Sequence, residues 1–431
     1  MSLFFERPKS GERAVLVHIK LNSESEPEDP REFEELVISA GGDPVEFLTG
    51  SRQSPSAKFF VGSGKLEEIS AAVKSADAQL VIFNHNLSPS QERNIEAELK
   101  CRVLDRTGLI LDIFAQRART HEGKLQVELA QLQHLSSRLV RGWTHLERQR
   151  GGIGNRGPGE TQLESDRRLV RERIKAIKQR LDKVRKQRDQ GRRARTKSEI
   201  PTVSLVGYTN AGKSTLFNKL TSADVYVADQ LFATLDPTMR RLDLAELGPV
   251  VFADTVGFIS HLPHRLVDAF RATLEEAASS NLLMHVVDAS AEDRSVNIVR
   301  VNEVLKEINA HDLPSLMIYN KIDLLDDVQP HIERNEEGIP VAVWVSALAG
   351  EGLELLLRAV VECLPNKIVH QHLQLQPSQG AFRAALYSQK AVLSEQSADS
   401  GVINLEVKLA ESDFLRLLKN SGLKLEDLVT L

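Results

Sequence analysis

Apolar positions recur along the chain with two different spacings, and the spacing changes near residue 120. Between residues 13 and 112, short apolar runs at 14–19 and 79–83 are typical of buried strands. Helix-like segments alternate with such runs at 31–39, 65–74 and 89–99. Ser88 precedes the last of these segments and suits a helix N-cap. This alternation predicts an α/β domain with a partly parallel sheet over residues 1–118.

A spacing of three and four residues takes over from residue 122. One apolar series runs from Leu125 to Leu146, and a second runs from Val170 to Val184. Between them, the glycine-rich stretch 151–159 cannot continue a helix. Residues 119–198 are therefore predicted to form a basic antiparallel hairpin of two helices, each about 40 Å long. Residues 191–198 are expected to be a polar linker at its end.

Strand-like and helix-like segments alternate again after residue 199. Residues 199–366 are expected to hold a mostly parallel sheet with helices on both faces, and to close with a helix at 352–364. Beyond the glutamine-rich stretch 371–379, strands are expected near 382–386 and 402–409. They would belong to a small α+β domain over residues 367–431. The predicted fold class is thus a multidomain α/β protein.

Composition adds a charge asymmetry to this picture. The chain has 431 residues and a net charge of −5, but residues 122–199 contain 21 Lys/Arg and 10 Asp/Glu. The hairpin region therefore carries +11, and the rest of the chain carries −16. One basic block in an otherwise acidic protein indicates a polyanionic partner.

Bulk features predict a cytoplasmic protein without a membrane span. No apolar run approaches the roughly 18 residues that a span requires, and the first residues lack the pattern of a secretory signal. Cys101 and Cys363 have no metal-like spacing, which fits a reducing compartment. Since the apolar pattern leaves no obvious symmetric seam unpaired, the free protein is expected to be a monomer.

The most specific chemistry lies at residues 207–214. An apolar run at 203–206 precedes this stretch and a helical pattern at 215–220 follows it, which is the context of a phosphate-binding P-loop. Lys213 is expected to contact the outer phosphates, and the Ser214 hydroxyl to ligate Mg²⁺. The predicted nucleotide-binding residues of the loop are Gly207, Tyr208, Thr209, Asn210, Ala211, Gly212, Lys213 and Ser214.

Two further segments complete the predicted phosphate and metal site. Thr234 is expected to complete the Mg²⁺ coordination and to sense the γ-phosphate, although a threonine before a turn also suits ordinary loop chemistry. Asp254 would hold a Mg²⁺-bound water, and the Gly257 N–H would meet the γ-phosphate. The predicted catalytic residues are Lys213, Thr234, Gly257 and Asn210. The predicted nucleotide-binding residues of the two segments are Phe232, Ala233, Thr234, Leu235, Asp236, Asp254, Thr255, Val256 and Gly257.

The stretch 320–323, Asn-Lys-Ile-Asp, predicts which base is bound. Asp323 can accept hydrogen bonds from both N1–H and the exocyclic amine of guanine, and adenine lacks this pair of donors. A loop after the strand-like run 341–345 would support the base through its backbone. The motifs therefore favour GTP over ATP. The predicted base-site residues are Asn320, Lys321, Ile322, Asp323, Ser346, Ala347 and Leu348.

One position departs from the common GTPase pattern. Phe258 stands where many GTPases of the Ras type carry a water-orienting glutamine, and an apolar ring cannot hold water by hydrogen bonding. Intrinsic hydrolysis is therefore expected to be slow until another loop or a partner supplies the missing group. Asn210 resembles the asparagine of potassium-assisted GTPases, whose amide oxygen helps to hold K⁺ beside the phosphates. The alternative for Asn210 is a turn residue that tolerates the left-handed backbone region.

Together these motifs resemble the HflX family of bacterial translational GTPases. The matching stretches include 106–112, 151–162, 207–214, 232–238 and 254–258, and the resemblance is weakest after about residue 370. It implies a GTPase that binds the large ribosomal subunit and splits or recycles stalled ribosomes, especially under heat stress. It also implies that ATP hydrolysis can accompany GTP hydrolysis.

The basic hairpin has two interpretations. Arg148, Arg150 and Arg156 flank its glycine-rich tip and are predicted to contact ribosomal RNA, with counterion release making the binding salt-sensitive. The alternative is a solvated coiled-coil face whose arginines keep the hairpin soluble. Two function classes follow: a GTPase that acts on ribosomes, and an RNA-remodelling ATPase or assembly factor whose N-terminal domain is the main active unit.

Overall fold

The computed structural model describes residues 11–21, 30–141, 158–197, 200–222, 231–245, 247–259, 274, 276–364, 368–389, 391–397, 402–423 and 428. Sheets of four, seven and three strands organise these residues, with the helical hairpin between the first two sheets in the chain. The expected multidomain α/β fold is confirmed. Within the described ranges, no helix combines the length and apolar character that a bilayer crossing requires.

The N-terminal region alternates strands and helices without interruption. Its strands are β1 (Arg13–Leu21), β2 (Asp43–Arg52), β3 (Leu80–Phe83) and β4 (Arg102–Asp105). Its helices are α1 (Pro30–Ser39), α2 (Ser63–Ser75), α3 (Pro89–Leu99) and α4 (Arg106–Arg117). The strand order is β2–β1–β3–β4, and every pairing is parallel. The sheet is parallel throughout rather than partly, because a helix crosses over between each pair of successive strands.

The hairpin consists of α5 (His121–Arg141) and α6 (Pro158–Lys197). Leu125, Leu129 and Leu132 of α5 pack with Ile177 of α6, so the predicted seam is confirmed. Helix α6 has 40 residues, which corresponds to about 60 Å. It continues through 191–197, the stretch expected to be a linker, since the arginines and lysines there are good helix formers. Arg148, Arg150 and Arg156 lie outside the described residues.

The seven-stranded sheet follows the hairpin. Its strands are β5 (Thr202–Gly207), β6 (Thr238–Leu244), β7 (Gly248–Asp254), β8 (Leu282–Asp288), β9 (Ser315–Asn320), β10 (His331–Arg334) and β11 (Pro340–Trp344). Its helices are α7 (Lys213–Thr221), α8 (Arg294–Glu307) and α9 (Leu353–Cys363). The order is β10–β11–β9–β8–β5–β7–β6, with antiparallel strands only at the two edges. The expected mostly parallel sheet is confirmed.

The two faces of this sheet bury their apolar residues in different ways. On one face, α7 and α9 cover an internal core that includes Leu216, Phe217, Phe252, Leu356 and Val360. The other face continues into the N-terminal region. There, a shared core joins α1 and α4 to the loops at the end of the sheet; its members include Phe33, Leu36, Phe114, Phe232, Leu235 and Phe258. The N-terminal region therefore packs directly on the nucleotide-binding end of the sheet.

The C-terminal region is a small α+β unit, as predicted. It comprises β12 (Ile368–Leu375), α10 (Gly380–Ser388), β13 (Val392–Ser397), β14 (Ile403–Ala410) and α11 (Glu411–Ser421). The strand expected near 382–386 is wrong, because these residues lie in α10. Phe382 and Leu386 are four residues apart and both buried, which is helical rather than strand spacing. The glutamine-rich stretch 371–379 includes most of β12.

Candidate nucleotide and metal site

The loop between β5 and α7 has the backbone of a phosphate-binding turn. Gly212 has a φ of 86°, and a Cβ atom there would lie 2.2 Å from Nδ2 of Asn320. Asn210 also adopts the left-handed region, with a φ of 61°. The Asn320 amide donates to the Ala211 carbonyl at 2.9 Å. The loop is thus held by the neighbouring base motif, which leaves no room for a side chain at position 212.

Lys213 is a buried cation at the start of α7. Its Nζ donates to the Tyr208 carbonyl at 2.7 Å, and 6 % of the residue is exposed. Burial lowers the pKa of Lys213 to about 8, and the nearby Asp254 carboxylate opposes this shift. Burial therefore makes the charge of Lys213 costly, and phosphate oxygens would stabilise it.

Three oxygen atoms from distant parts of the sequence converge next to this lysine. The Ser214 and Thr234 hydroxyls donate to Oδ2 of Asp254 at 2.8 Å and 2.9 Å, and the two hydroxyl oxygens are 2.7 Å apart. Burial raises the pKa of Asp254, and Lys213 and the two hydroxyls oppose this shift. Two hydroxyls and a carboxylate are hard oxygen donors, the kind that Mg²⁺ takes. The donor set predicted from three separate segments is therefore assembled here.

The loops that bring these groups together are named switch I (residues 231–236) and switch II (residues 254–259). Switch II continues the pairing of the sheet beyond β5. The Thr209 N–H donates to the Phe258 carbonyl at 2.7 Å, and the Phe258 N–H donates to the Gly207 carbonyl at 3.1 Å. The Phe258 ring is buried in the shared core. Phe258 therefore fastens switch II to the P-loop and holds its ring away from the phosphate pocket.

The predicted base-site residues also come together. Oδ1 of Asn320 accepts from the Ala347 N–H at 2.9 Å, and Oδ1 of Asp323 accepts from the Ser346 hydroxyl at 2.5 Å. Nζ of Lys321 pairs with Asp288 at 2.8 Å. Asp323 follows the carboxyl end of β9 and is exposed there, so its carboxylate can face a base. Leu348, by contrast, is 74 % exposed. Its predicted contact with the base therefore involves its backbone and not its side chain.

A pocket enclosing about 440 Å³ of empty space, including its open mouth, lies where these loops meet. Most of its lining was predicted from the sequence. The lining residues are Thr209, Asn210, Gly212, Lys213, Ser214, Thr215, Phe232, Ala233, Thr234, Thr255 and Gly257. Leu235 lies instead in the shared core, and the Asp236 carboxylate contacts the start of α5. Nucleotide binding by the individual predicted residues stays a prediction.

The N-terminal region contributes contacts to this site that sequence reasoning missed. The Tyr208 hydroxyl donates to Glu32 of α1, and Glu32 also pairs with Arg106 at 2.7 Å. The Arg119 and Thr120 N–H groups donate to Asp236. The contacts of Tyr208 with Glu32, and of Asp236 with Arg119 and Thr120, join residues that lie 116 positions or more apart in the chain. No local pattern marks them, because a carboxylate in a helix or loop is ordinarily a solvated surface group.

A P-loop at the end of a central parallel strand, with two switch loops and an Asn-Lys-x-Asp turn beside it, defines a P-loop GTPase. Family models match the chain in succession. The "GTP-binding GTPase N-terminal" model matches residues 28–115, and the "GTP-binding GTPase Middle Region" model matches residues 117–195. The "50S ribosome-binding GTPase" model matches residues 202–321, and the "HflX C-terminal domain" model matches residues 331–426.

Relatives of known family match nearly the whole chain. A GTPase HflX of Escherichia coli strain K12 is 56 % identical over 425 residues, covering 99 % of this chain and 100 % of that protein. A GTPase HflX of Caldanaerobacter subterraneus is 47 % identical over 355 residues, covering 82 % and 81 %. The chain belongs to the HflX family of GTPases. GTP hydrolysis is the activity of this family.

Proposed function

We propose that this GTPase binds the large ribosomal subunit and uses its nucleotide state to split or recycle stalled ribosomes, notably under heat stress. One observation carries the proposal: both switch loops pack in the shared core against the region from which the basic hairpin extends. A rearrangement at the γ-phosphate would therefore act directly on the base of the hairpin. The match to a ribosome-binding GTPase model supports the same partner.

We assign the metal of the reaction to the three converging oxygens. Ser214 and Thr234 would hold Mg²⁺ directly, and Asp254 would hold it through a water. When bound, Mg²⁺ neutralises charge on the phosphates. Lys213 places a second positive charge beside the same phosphates, and the Gly257 N–H faces the γ-phosphate. These groups bind and orient the nucleotide, and they leave the attacking water without an obvious protein partner.

Intrinsic hydrolysis is proposed to be slow and to be stimulated by the ribosome. Phe258 is buried, and among the described residues that line the pocket Asn210 supplies the only side-chain amide. The left-handed backbone of Asn210 agrees with its interpretation as a turn residue. Its exposed position beside the pocket also supports the second interpretation, in which it helps to hold K⁺. A secondary ATPase activity is part of the same proposal.

The hairpin is proposed to contact ribosomal RNA. Helix α6 contains 15 Lys/Arg and 6 Asp/Glu, and a surplus of this size on one helix favours phosphate contacts over a merely solvated face. Some of these charges are structural: Arg173 pairs with Glu128 at 2.7 Å, and Arg188 pairs with Glu122 at 2.9 Å. The contacts themselves are assigned to Arg148, Arg150 and Arg156 near the tip.

Ribosome splitting tests the proposal directly. Light scattering of 70S ribosomes should fall when the protein is added with a non-hydrolysable GTP analogue, and should stay constant with GDP. The double variant Arg150→Glu, Arg156→Glu should lose splitting and bind the large subunit more weakly, and this weaker binding should depend less on salt. A matched control is Arg240→Glu, an exposed arginine of β6. Unchanged splitting and salt dependence in the double variant would rule out the RNA role.

Turnover of GTP and ATP separates the two function classes. Strong stimulation of GTP hydrolysis by large subunits supports the ribosomal GTPase. ATP turnover that needs no subunit and survives Asp323→Asn would instead favour an RNA-remodelling ATPase centred on the N-terminal region. The proposal of a ribosomal GTPase includes a monomeric free protein, which gel filtration checks. It also includes a cytoplasmic location, which fractionation of cells checks.

A further inference from the structure

We propose that Asp236 is a positioning residue for GTP. Its carboxylate caps the N-terminus of α5 and thereby holds switch I where the Thr234 hydroxyl reaches the metal site. The nucleotide state and the first helix of the hairpin are coupled through this one side chain. The inference rests on the proposed role of Thr234 as a Mg²⁺ ligand.

The contacts of Asp236 are those of a helix cap supplied from another part of the chain. Oδ2 accepts from the Arg119 N–H at 2.9 Å and from the Thr120 N–H at 2.8 Å, and Oδ1 accepts from the Thr120 hydroxyl at 2.6 Å. The Thr120 hydroxyl accepts in turn from the Gly123 N–H at 2.9 Å. Thr120 is therefore the N-cap of α5, and Asp236 satisfies backbone donors that the helix cannot.

In an ordinary capping box, a glutamate or glutamine three residues after the N-cap accepts from the N-cap N–H. In α5 that position is Gly123, which has no side chain. Asp236 takes the same role from 116 residues away. A Cβ atom at position 123 would lie 2.0 Å from Oδ1 of Asp236, so the glycine makes the space that the carboxylate occupies. The N-terminus of α5 therefore has both the space and the hydrogen-bond donors for the Asp236 carboxylate of switch I.

Switch I depends on such outside contacts for its shape. Phe232 has a φ of 57°, an unfavourable conformation for a bulky residue. Its ring packs edge-on against Phe114 of α4 with centroids 4.7 Å apart, and the Leu231 N–H donates to the Ser39 hydroxyl at 3.0 Å. Asp236 fastens the other end, two residues beyond Thr234. The N-terminal region therefore holds one end of the segment that carries the proposed metal ligand, and the start of the hairpin holds the other end.

The second hairpin helix also reaches this point. Arg188 of α6 pairs with Glu122, which lies in the first turn of α5 beside the Asp236 cap. A movement of switch I therefore changes contacts at the start of α5, next to an ion pair that closes the base of the hairpin. Since coupling between sites is reciprocal, closing switch I on GTP should also order the start of α5.

Two substitutions weaken the cap from opposite sides. Asp236→Asn keeps the shape of the side chain and removes the charge that strengthens its three hydrogen bonds. Gly123→Ala leaves the GTPase region intact and pushes the carboxylate away, and alanine is itself favoured in a helix. The matched controls are Asp243→Asn, an exposed carboxylate of β6, and Gly191→Ala in α6, where an added Cβ meets no atom within 4 Å.

The measurement is the affinity of the full chain for a fluorescent non-hydrolysable GTP analogue and for fluorescent GDP, both with Mg²⁺. Each cap variant should bind the analogue about tenfold more weakly, because hydrogen bonds to a charged group are lost. GDP affinity should stay within about twofold, since Thr234 senses the γ-phosphate. Both controls should match the unaltered protein. A merely structural role for Asp236 would weaken the two nucleotides equally.

Hydrogen exchange gives a second readout at the cap itself. Exchange of the Arg119 and Thr120 amides should slow with the GTP analogue relative to GDP, and this difference should vanish in Asp236→Asn. Thr234→Ala separates the two possible failures. If Thr234→Ala loses the preference for the GTP analogue while both cap variants keep it, the positioning role of Asp236 is overturned. If Thr234→Ala also keeps the preference, the metal-ligand role of Thr234 fails and the inference falls with it.

Discussion

The internal core and the shared core occupy opposite faces of one sheet, yet they serve different parts of the nucleotide. The internal core packs α7 and α9 on the sheet and supports the P-loop and the base motif from within the GTPase region. The shared core needs α1 and α4 of the N-terminal region to bury switch I and switch II. We therefore expect nucleotide affinity to depend on one region, and the response to the γ-phosphate to depend on two.

This difference predicts how substitutions will behave. Changes on the internal side should weaken GDP and GTP together. Changes on the shared side should alter mainly the preference for GTP, because the switch loops are expected to contact the γ-phosphate and no other part of the nucleotide. The ratio of the two affinities therefore reports which face of the sheet has been disturbed.

The largest effect is expected for Lys213→Ala. Removing the buried ammonium should weaken GDP and GTP binding about a hundredfold, because a charged hydrogen-bond donor to the phosphates is lost. Lys219→Ala, an exposed lysine of the same helix, is the control. Equilibrium binding with fluorescent nucleotides measures both. A loss confined to GTP would contradict the division between the two cores.

Asp323→Asn should weaken both guanine nucleotides about a hundredfold. The asparagine amide keeps one acceptor oxygen, so one of the two hydrogen bonds to the carboxylate is lost, worth about 1.5–3 kcal/mol. The GTP-to-GDP affinity ratio should not change. Asp326→Asn, another exposed aspartate, provides the control. Competition binding with ATP then shows whether guanine specificity has been lost. An altered GTP-to-GDP ratio would mean that the base motif also communicates with the switches.

Phe114→Ala in the shared core and Phe217→Ala in the internal core compare the two cores through the same substitution. Each removes a buried phenylalanine and should lower the free energy of unfolding by about 3–5 kcal/mol, measured by urea denaturation. Only Phe114→Ala removes the ring packed on Phe232, so only this variant should lower the GTP-to-GDP affinity ratio. Equal ratios in both variants would show that the shared core stabilises the protein without tuning the switches.

The smallest effect is a pH dependence of binding. Burial lowers the pKa of Lys213 to about 8 in the nucleotide-free protein, and bound phosphates should raise it. Below pH 8 the lysine is protonated in both states, so binding should not vary with its titration. Above pH 8 a proton must be taken up, and affinity for GDP and GTP should fall about tenfold by about pH 9. A flat profile from pH 7 to 9.5 would show that the lysine stays charged in the empty loop.

Local patterns predicted much of this molecule. The P-loop was visible because strand, turn and helix follow one another within about twenty residues. Ser214, Thr234 and Asp254 were assigned from spacing and do converge. Short apolar runs were less reliable: 382–386 forms a helix, since such a run suits a buried helix as well as a strand. The linker expected at 191–198 is helical to Lys197. This stretch has few apolar residues, but its arginines and lysines favour a helix.

Contacts between regions could not be predicted in this way. Asp236 was assigned to the nucleotide, and its carboxylate caps α5 instead of lining the pocket. Phe258 stands where a catalytic amide was expected, and its ring is buried in the shared core, to which α1 and α4 also contribute. Neither environment has a signature near the residue, because each requires a partner more than a hundred positions away.

The sequence by itself determined most of the order of the elements, the GTPase class and the family, since these depend on motifs whose residues are neighbours in the chain. Tertiary structure alone decided that Phe114 of the N-terminal region and Thr120 at the start of the hairpin hold switch I, and that Glu32 contacts the P-loop at Tyr208. The physical reason is that backbone geometry and phosphate binding are encoded over a few residues. Burial of a switch loop, by contrast, depends on which distant surface packs against it.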